Sequence, residues 1–229
     1  MSIKIDLKIF LFAIIFWFTK QIEIYALLMI LALIHECGHL VCGICLGLKT
    51  SSIKITPVGF QILFKNYIQD YNKKIQKGNE VCIKKIVIAF AGPLVNIFIA
   101  LIAFFMPQNM AISKETLIYA NLMLAIFNLL PIYPLDGGRI LKEIVTIKCG
   151  REKSYNIINK ISMIMVILLT ILTSISILYI HNIALIIILG YLWYLNIQNE
   201  RTYKLKRKVY KKIREQENFV QPLEIYGKS

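Results

Sequence analysis

Negative charge is scarce in this chain. Its 229 residues hold 13 Asp and Glu against 27 Lys and Arg, and charged residues of both signs make up only 17%. With 57% hydrophobic residues and a mean hydropathy of +0.63, that scarcity excludes an ordinary soluble domain of this length and indicates a polytopic membrane protein. A disulfide framework is also lacking. Cys37, Cys42, Cys45, Cys82 and Cys149 lie in apolar runs or on the side read as cytoplasmic, where thiols stay reduced. No A-x-A-like cleavage site follows the first apolar stretch, so it reads as an uncleaved first span rather than a signal peptide. Repeats are not evident, nor is any segment long enough to fold independently outside the membrane.

Apolar runs dominate what is present. They occupy Ile9–Thr19, Ile24–Leu48, Ile86–Met106, Thr116–Tyr133, Ile161–Ile180 and Ile183–Ile197. A crossing helix needs about 20 apolar residues, so the first and last runs are short, and the count of six spans relies on local thinning of the bilayer. With the N-terminus inside, the alternation of loops leaves only Lys20 and Lys114 among the basic residues on the outer face. That bias places both termini in the cytoplasm. The net charge of +14 is then spread over every inner loop, which fits attraction to anionic lipid and excludes nucleic acid as the partner. The expected fold is an all-α polytopic membrane protein with about six transmembrane helices and a short membrane-associated β hairpin after the second, around Pro57 and Gly59. Gln69–Glu80 reads as a solvated loop. The domain plan is a six-span core at 1–198 and a basic cytoplasmic tail at 199–229, read as an amphipathic helix on the inner leaflet.

His35-Glu36-Cys37-Gly38-His39 lies inside the second run. Residues four apart share one helix face, so His35 and His39 can offer two imidazoles to one metal ion, and Glu36 is placed to act as a base toward water. Ionisable groups at that depth cost several kcal/mol unless partnered, which weighs against a merely structural helix contact. A catalytic zinc usually takes three protein ligands, so one more is expected. Asp136 follows Pro131 and Pro134 where the fourth run breaks, and the topology brings it inward toward the histidines. Its other reading is an N-cap for Gly137–Thr146 with Arg139 as ion-pair partner. Cys42, three residues after His39, is the rival ligand, although three ligands on one straight helix make a poor tetrahedron. Cys42-Gly43-Ile44-Cys45 lacks the βαβ context of a redox motif, so small packing residues are the preferred reading.

Three segments, His35–His39, Ala91-Gly92-Pro93-Leu94-Val95-Asn96 and Asn128–Arg139 (NLLPIYPLDGGR), resemble the site-2 protease family of intramembrane metalloproteases. The last is most similar to the stage IV sporulation protease FB branch. The resemblance implies zinc at His35, His39 and Asp136, Glu36 as general base, and Asn96, Asn128 and Pro134 shaping the site or admitting substrate. It further implies a membrane-associated pro-sigma factor as substrate and membrane inhibitor proteins as partners, in a bacterial cell membrane or the membrane around a forespore. Well-known members of the branch carry a CBS domain after the core. None is expected in residues 199–229, nor is a PDZ insertion.

The function expected is therefore hydrolysis of peptide bonds of a membrane-associated protein by an intramembrane zinc metalloprotease. Zinc would lower the pKa of water and polarise the carbonyl, Glu36 would move the proton, and the Ile53–Phe64 strands could pair with an unwound substrate. One alternative is a site-2 protease cleaving an anti-sigma factor or another membrane regulator. Another is a membrane metal transporter, for which no matching second half is found. A third is a non-catalytic scaffold, for which Glu36 would be superfluous.

Overall fold

The computed structural model describes residues 2–5, 8–48, 50–56, 59–64, 75–107, 112–180, 186, 189–205 and 207–208. In chain order these form β1 (Ser2–Ile5), α1 (Lys8–Phe18), α2 (Ile22–Cys45), β2 (Thr50–Thr56), β3 (Gly59–Phe64), α3 (Ile75–Phe105), α4 (Lys114–Leu129), α5 (Asp136–Cys149) and α6 (Arg151–Ile180). A last helix, α7, covers residues 189–205 and runs through the boundary read between 198 and 199.

Two features correct the fold expected from the sequence. Among the described residues only three helices are long and apolar enough to cross a membrane: Ile22–Cys45, Gly78–Phe105 and Lys153–Ile175. The eleven residues of α1 rise about 16 Å and the sixteen of α4 about 24 Å, short of the ~30 Å hydrocarbon core, so neither is a full-length span, although each returns the chain: β1 pairs beside β2, and Lys85 in the first part of α3 meets Glu143 on α5. Six full-length spans are thus not what the helices support. Nor is the chain all-α with a stand-alone hairpin, since β2 and β3 belong to a three-stranded sheet of order β1-β2-β3. The strand from the N-terminus is parallel to β2, and the pairing sets Ser2-Ile3-Lys4-Ile5 against Ser52-Ile53-Lys54-Ile55 in register. These are identical tetrapeptides, a short repeat that the sequence reading overlooked. Identical alternation lets the two strands present matching faces. The polar loop read at Gln69–Glu80 is also shorter, because α3 begins at Ile75. Pro57, Val58 and residues 209–229 of the basic tail lie outside the described residues.

The polarity of the helical body is inverted relative to a soluble protein. Phe98, Phe104 and Ile171 are 62%, 61% and 58% exposed, while Asn96, Asn121, Ser154 and Ser162 are fully buried. Outward apolar faces on the spanning helices suit lipid, and the inward polar groups need partners inside the bundle. Small residues let the helices approach closely: Ala89, Ala100, Ala103 and Ala125 are all buried. α3 is the hub, packing on α2, α4 and α5, and α5 packs on α6. α2 stops in a Schellman turn, with Gly47 at φ 77°, its N–H bonded to the Ile44 carbonyl and the Leu48 N–H bonded to the Gly43 carbonyl.

Candidate metal centre

α2 places His35 and His39 one turn apart on its buried face, each 3% exposed. Asp136 reaches them from the first turn of α5. The chain arrives there because α4 ends at Leu129 and residues 130–135 are non-helical, with a cis Tyr133–Pro134 bond. Two contacts hold that turn: the Tyr133 N–H donates to Ser162 Oγ on α6 at 2.9 Å, and Asn199 Nδ2 on α7 donates to the Tyr133 carbonyl at 3.4 Å. Glycine is required just beyond it. A Cβ on Gly137 would collide with the Leu129 and Leu130 backbone, and one on Gly138 with Ile132 and Tyr133. The Asp-Gly-Gly sequence thus lets the start of α5 pass tightly under the turn.

Three ligand atoms converge. His35 Nε2 lies 3.0 Å and His39 Nε2 lies 3.1 Å from Asp136 Oδ2, and the two nitrogens are 3.1 Å apart. Among the described residues this is the one group of three or more His, Cys, Asp or Glu side chains that could hold a metal ion. A zinc–nitrogen bond of about 2.0–2.1 Å makes ligands of a tetrahedron about 3.3–3.4 Å apart, so the triangle is a few tenths of an ångström from one tetrahedral face. As hydrogen bonds alone the set is poor. Two imidazoles donating to one oxygen would bring their N–H groups together, whereas a central cation satisfies all three.

The surroundings of the imidazoles fit the same ion. His39 Nδ1 donates to the Ile88 carbonyl at 2.6 Å, which leaves Nε2 with its lone pair toward the cluster. Pro93, one turn on inside α3, lacks the N–H that would bond the Ala89 carbonyl. His35 Nδ1 lies 3.1 Å from the Asn96 amide nitrogen, and Asn96 Oδ1 is buried without a partner. Turning the amide over resolves both facts: Oδ1 then accepts from Nδ1–H, the orphan is satisfied, and His35 Nε2 is freed for a metal. Gly92 completes the cradle. A Cβ there would sit 2.5 Å from both Nε2 atoms, so only glycine leaves that side open.

Asp136 divides its oxygens, with Oδ2 toward the histidines and Oδ1 3.4 Å from Arg139 Nη1. The N-cap position of α5 is Leu135, which makes no side-chain cap bond, so Asp136 is not the cap residue that its other reading required. Cys42 is half-buried and not part of the cluster. Glu36 is half-buried next to His35 on α2. Of the residues expected to shape the site, Asn96 meets His35, Asn128 Nδ2 bonds the Leu124 carbonyl of its own helix at 3.0 Å, and Pro134 forms the turn before Asp136. Gly92, Ser162 and Asn199 were missed. Gly92 lay in a quoted motif, but nothing in the sequence pointed to Ser162 or Asn199.

Known proteins similar to this chain include zinc metalloproteases. A zinc metalloprotease of Methanocaldococcus jannaschii is 33% identical over 153 residues, covering 64% of this chain and 40% of that protein. Stage IV sporulation protein FB of Bacillus subtilis is 24% identical over 148 residues, covering 63% of this chain and 48% of that protein. This chain thus spans less than half the length of either curated relative. The solved site-2 protease from Methanocaldococcus jannaschii superposes with a TM-score of 0.64 and 26% identity, covering 86% of this chain and 89% of that one. Residues 23–114 and 110–172 match the family described as Peptidase family M50, a region that contains His35, His39, Asn96 and Asp136. The chain belongs to peptidase family M50, the site-2 protease family.

Proposed function

We propose that this protein is an intramembrane zinc endopeptidase that cleaves a membrane-associated protein. The observation that carries the reading is the buried triangle of His35, His39 and Asp136 between apolar helices, with Glu36 on the adjoining position of α2. Zinc, when bound, supplies Lewis acidity at neutral pH. His35 and His39 hold it from α2 and Asp136 from α5. Asn96 and the Ile88 carbonyl fix the two imidazole tautomers. Glu36 takes a proton from water and returns it to the leaving nitrogen. Asn128 and Pro134 border the turn that carries Asp136, where an unwound substrate would enter. The apolar outer faces of α2, α3 and α6 keep the site within the bilayer, so the substrate reaches it from the membrane.

The substrate class we propose is a pro-sigma factor activated during sporulation, under restraint by membrane inhibitor proteins; the similarity to stage IV sporulation protein FB supports it. An anti-sigma factor or another membrane regulator is the alternative substrate. Residues 1–198 act as the membrane-embedded core and 199–229 as a basic cytoplasmic tail. The lysines between α2 and α3 and those around Arg151 face the cytoplasm with that tail. Co-expression of the full chain with candidate membrane-associated pro-proteins tests this reading. Cleavage is expected with the natural sequence. It should fall about 10²–10⁴-fold in Glu36→Gln with zinc content unchanged, because the base is removed and the ligands are kept. Cleavage that persists undiminished in Glu36→Gln removes Glu36 from the reaction.

A further inference from the structure

Away from the metal centre, a polar cavity of about 60 Å³ lies where α5, α6 and α7 meet. A water needs roughly 10–15 Å³ of such space, so the cavity has room for about four waters or one tetrahedral oxyanion. Its polar lining is Tyr133, Lys142, Tyr155, Asn159, Asn199, Thr202 and Tyr203, with no acidic side chain among those the structure describes. The Lys142 ammonium sits 5.0 Å from the Tyr133 ring centre and 4.5 Å from that of Tyr155, which stacks on Tyr203 at 5.3 Å. Burial opposes the charge on Lys142, but Tyr133, Tyr155 and Glu143 outweigh it and hold its pKa above the ordinary lysine value.

Among the side chains the structure describes, Lys142 forms no ion pair with a carboxylate. Glu143 faces Lys85 on α3 at 3.7 Å, and Glu200 is taken by Lys204 at 2.7 Å. Tyr203 Oη is buried without a hydrogen-bond partner among the described residues. A half-buried cation without its anion, beside a hydroxyl without its acceptor, is a pair of deficits that one bound anion would cancel. The position in the membrane narrows the anion. Tyr155 and Asn159 belong to the first turns of the membrane-length part of α6, which starts at Lys153, and exposed Lys153, Lys160, Arg201 and Arg207 flank this region in sequence. Lipid phosphates lie at that boundary, and basic side chains there concentrate them.

The geometry points to a phosphate-binding site in this cavity, in which Lys142 neutralises the anion and the Tyr203 hydroxyl donates to it. The phosphate is carried by an anionic lipid headgroup or is free inorganic phosphate. An occupant would tie α7 to α5 beside Tyr133, three residues before Asp136, and so brace the arm that carries the third metal-binding side chain. This goes beyond the protease reading and does not depend on it.

The test uses the full chain purified in detergent, with native mass spectrometry against phosphatidylglycerol and phosphatidylcholine and thermal unfolding against inorganic phosphate. Phosphatidylglycerol is expected to bind and phosphatidylcholine not. Lys142→Met should weaken binding about tenfold or more and Tyr203→Phe about threefold, as expected for a charge-assisted and a neutral hydrogen bond. Tyr203→Phe keeps the ring stack and removes only the hydroxyl, so it reports even if Lys142→Met fails to fold. Displacement of the lipid by millimolar inorganic phosphate would identify a site for the free ion, and binding of lipid alone one for a headgroup. Binding of neither probe, or binding that both variants leave unchanged, overturns the proposal.

Discussion

The imidazole tautomers decide whether the metal centre can form. A zinc ligand nitrogen needs its lone pair, so each Nδ1 must carry the proton and hand it to an acceptor. For His39 the acceptor is the Ile88 carbonyl, and for His35 it is Asn96 Oδ1 once the amide is turned over. Replacing Asn96 with Ala should therefore weaken zinc binding about 10–100-fold in chelator competition, while Asn96→Asp, which keeps an acceptor, should hold most of the affinity. Equal affinity in Asn96→Ala would show that His35 is oriented by something else. Sequence reveals this level unevenly. The period of a helix makes His35 and His39 neighbours on one face, and an aspartate after two prolines stands out in an apolar run. The partners of the second nitrogens do not stand out, because they depend on how α3 crosses α2, which no local pattern encodes.

Between elements, backbone proximity matters more than side-chain chemistry. Gly92 leaves the space beside both Nε2 atoms, and Gly137 and Gly138 let α5 slide under residues 129–133. Gly92→Ala is the sharper probe, since helix propensity would favour it and only the cradle opposes it. Its added methyl should abolish zinc binding with helical content by circular dichroism unchanged. Full zinc occupancy in that variant would mean that this face of the cluster is not where the ion sits. Element lengths were the least legible part of the sequence. Hydropathy marks the apolar runs of α1 and α4 but not that they stop at eleven and sixteen residues. The parallel strand β1 was hidden for another reason: its partner lies fifty residues away, and an Ile-Lys-Ile alternation beside an apolar run reads as a flank of that run.

For the whole molecule, the membrane separates two environments, and the distribution of basic residues predicts which side is which. Cys149 is exposed at the C-terminal end of α5, so in intact cells it should resist a membrane-impermeant thiol reagent and react once the inner face is opened. Labelling from outside would reverse the orientation. The metal centre is also a whole-molecule device, because its donors come from α2 and α5, 97 and 101 residues apart in the chain, with α3 supplying the cradle between them. The central claim is that this junction, and not the cysteine on α2, holds the ion. Zinc content per chain, measured on purified Asp136→Ala beside Cys42→Ala, tests it most directly. The account predicts close to one zinc per chain in Cys42→Ala and little in Asp136→Ala; zinc retained by Asp136→Ala and lost from Cys42→Ala would contradict it.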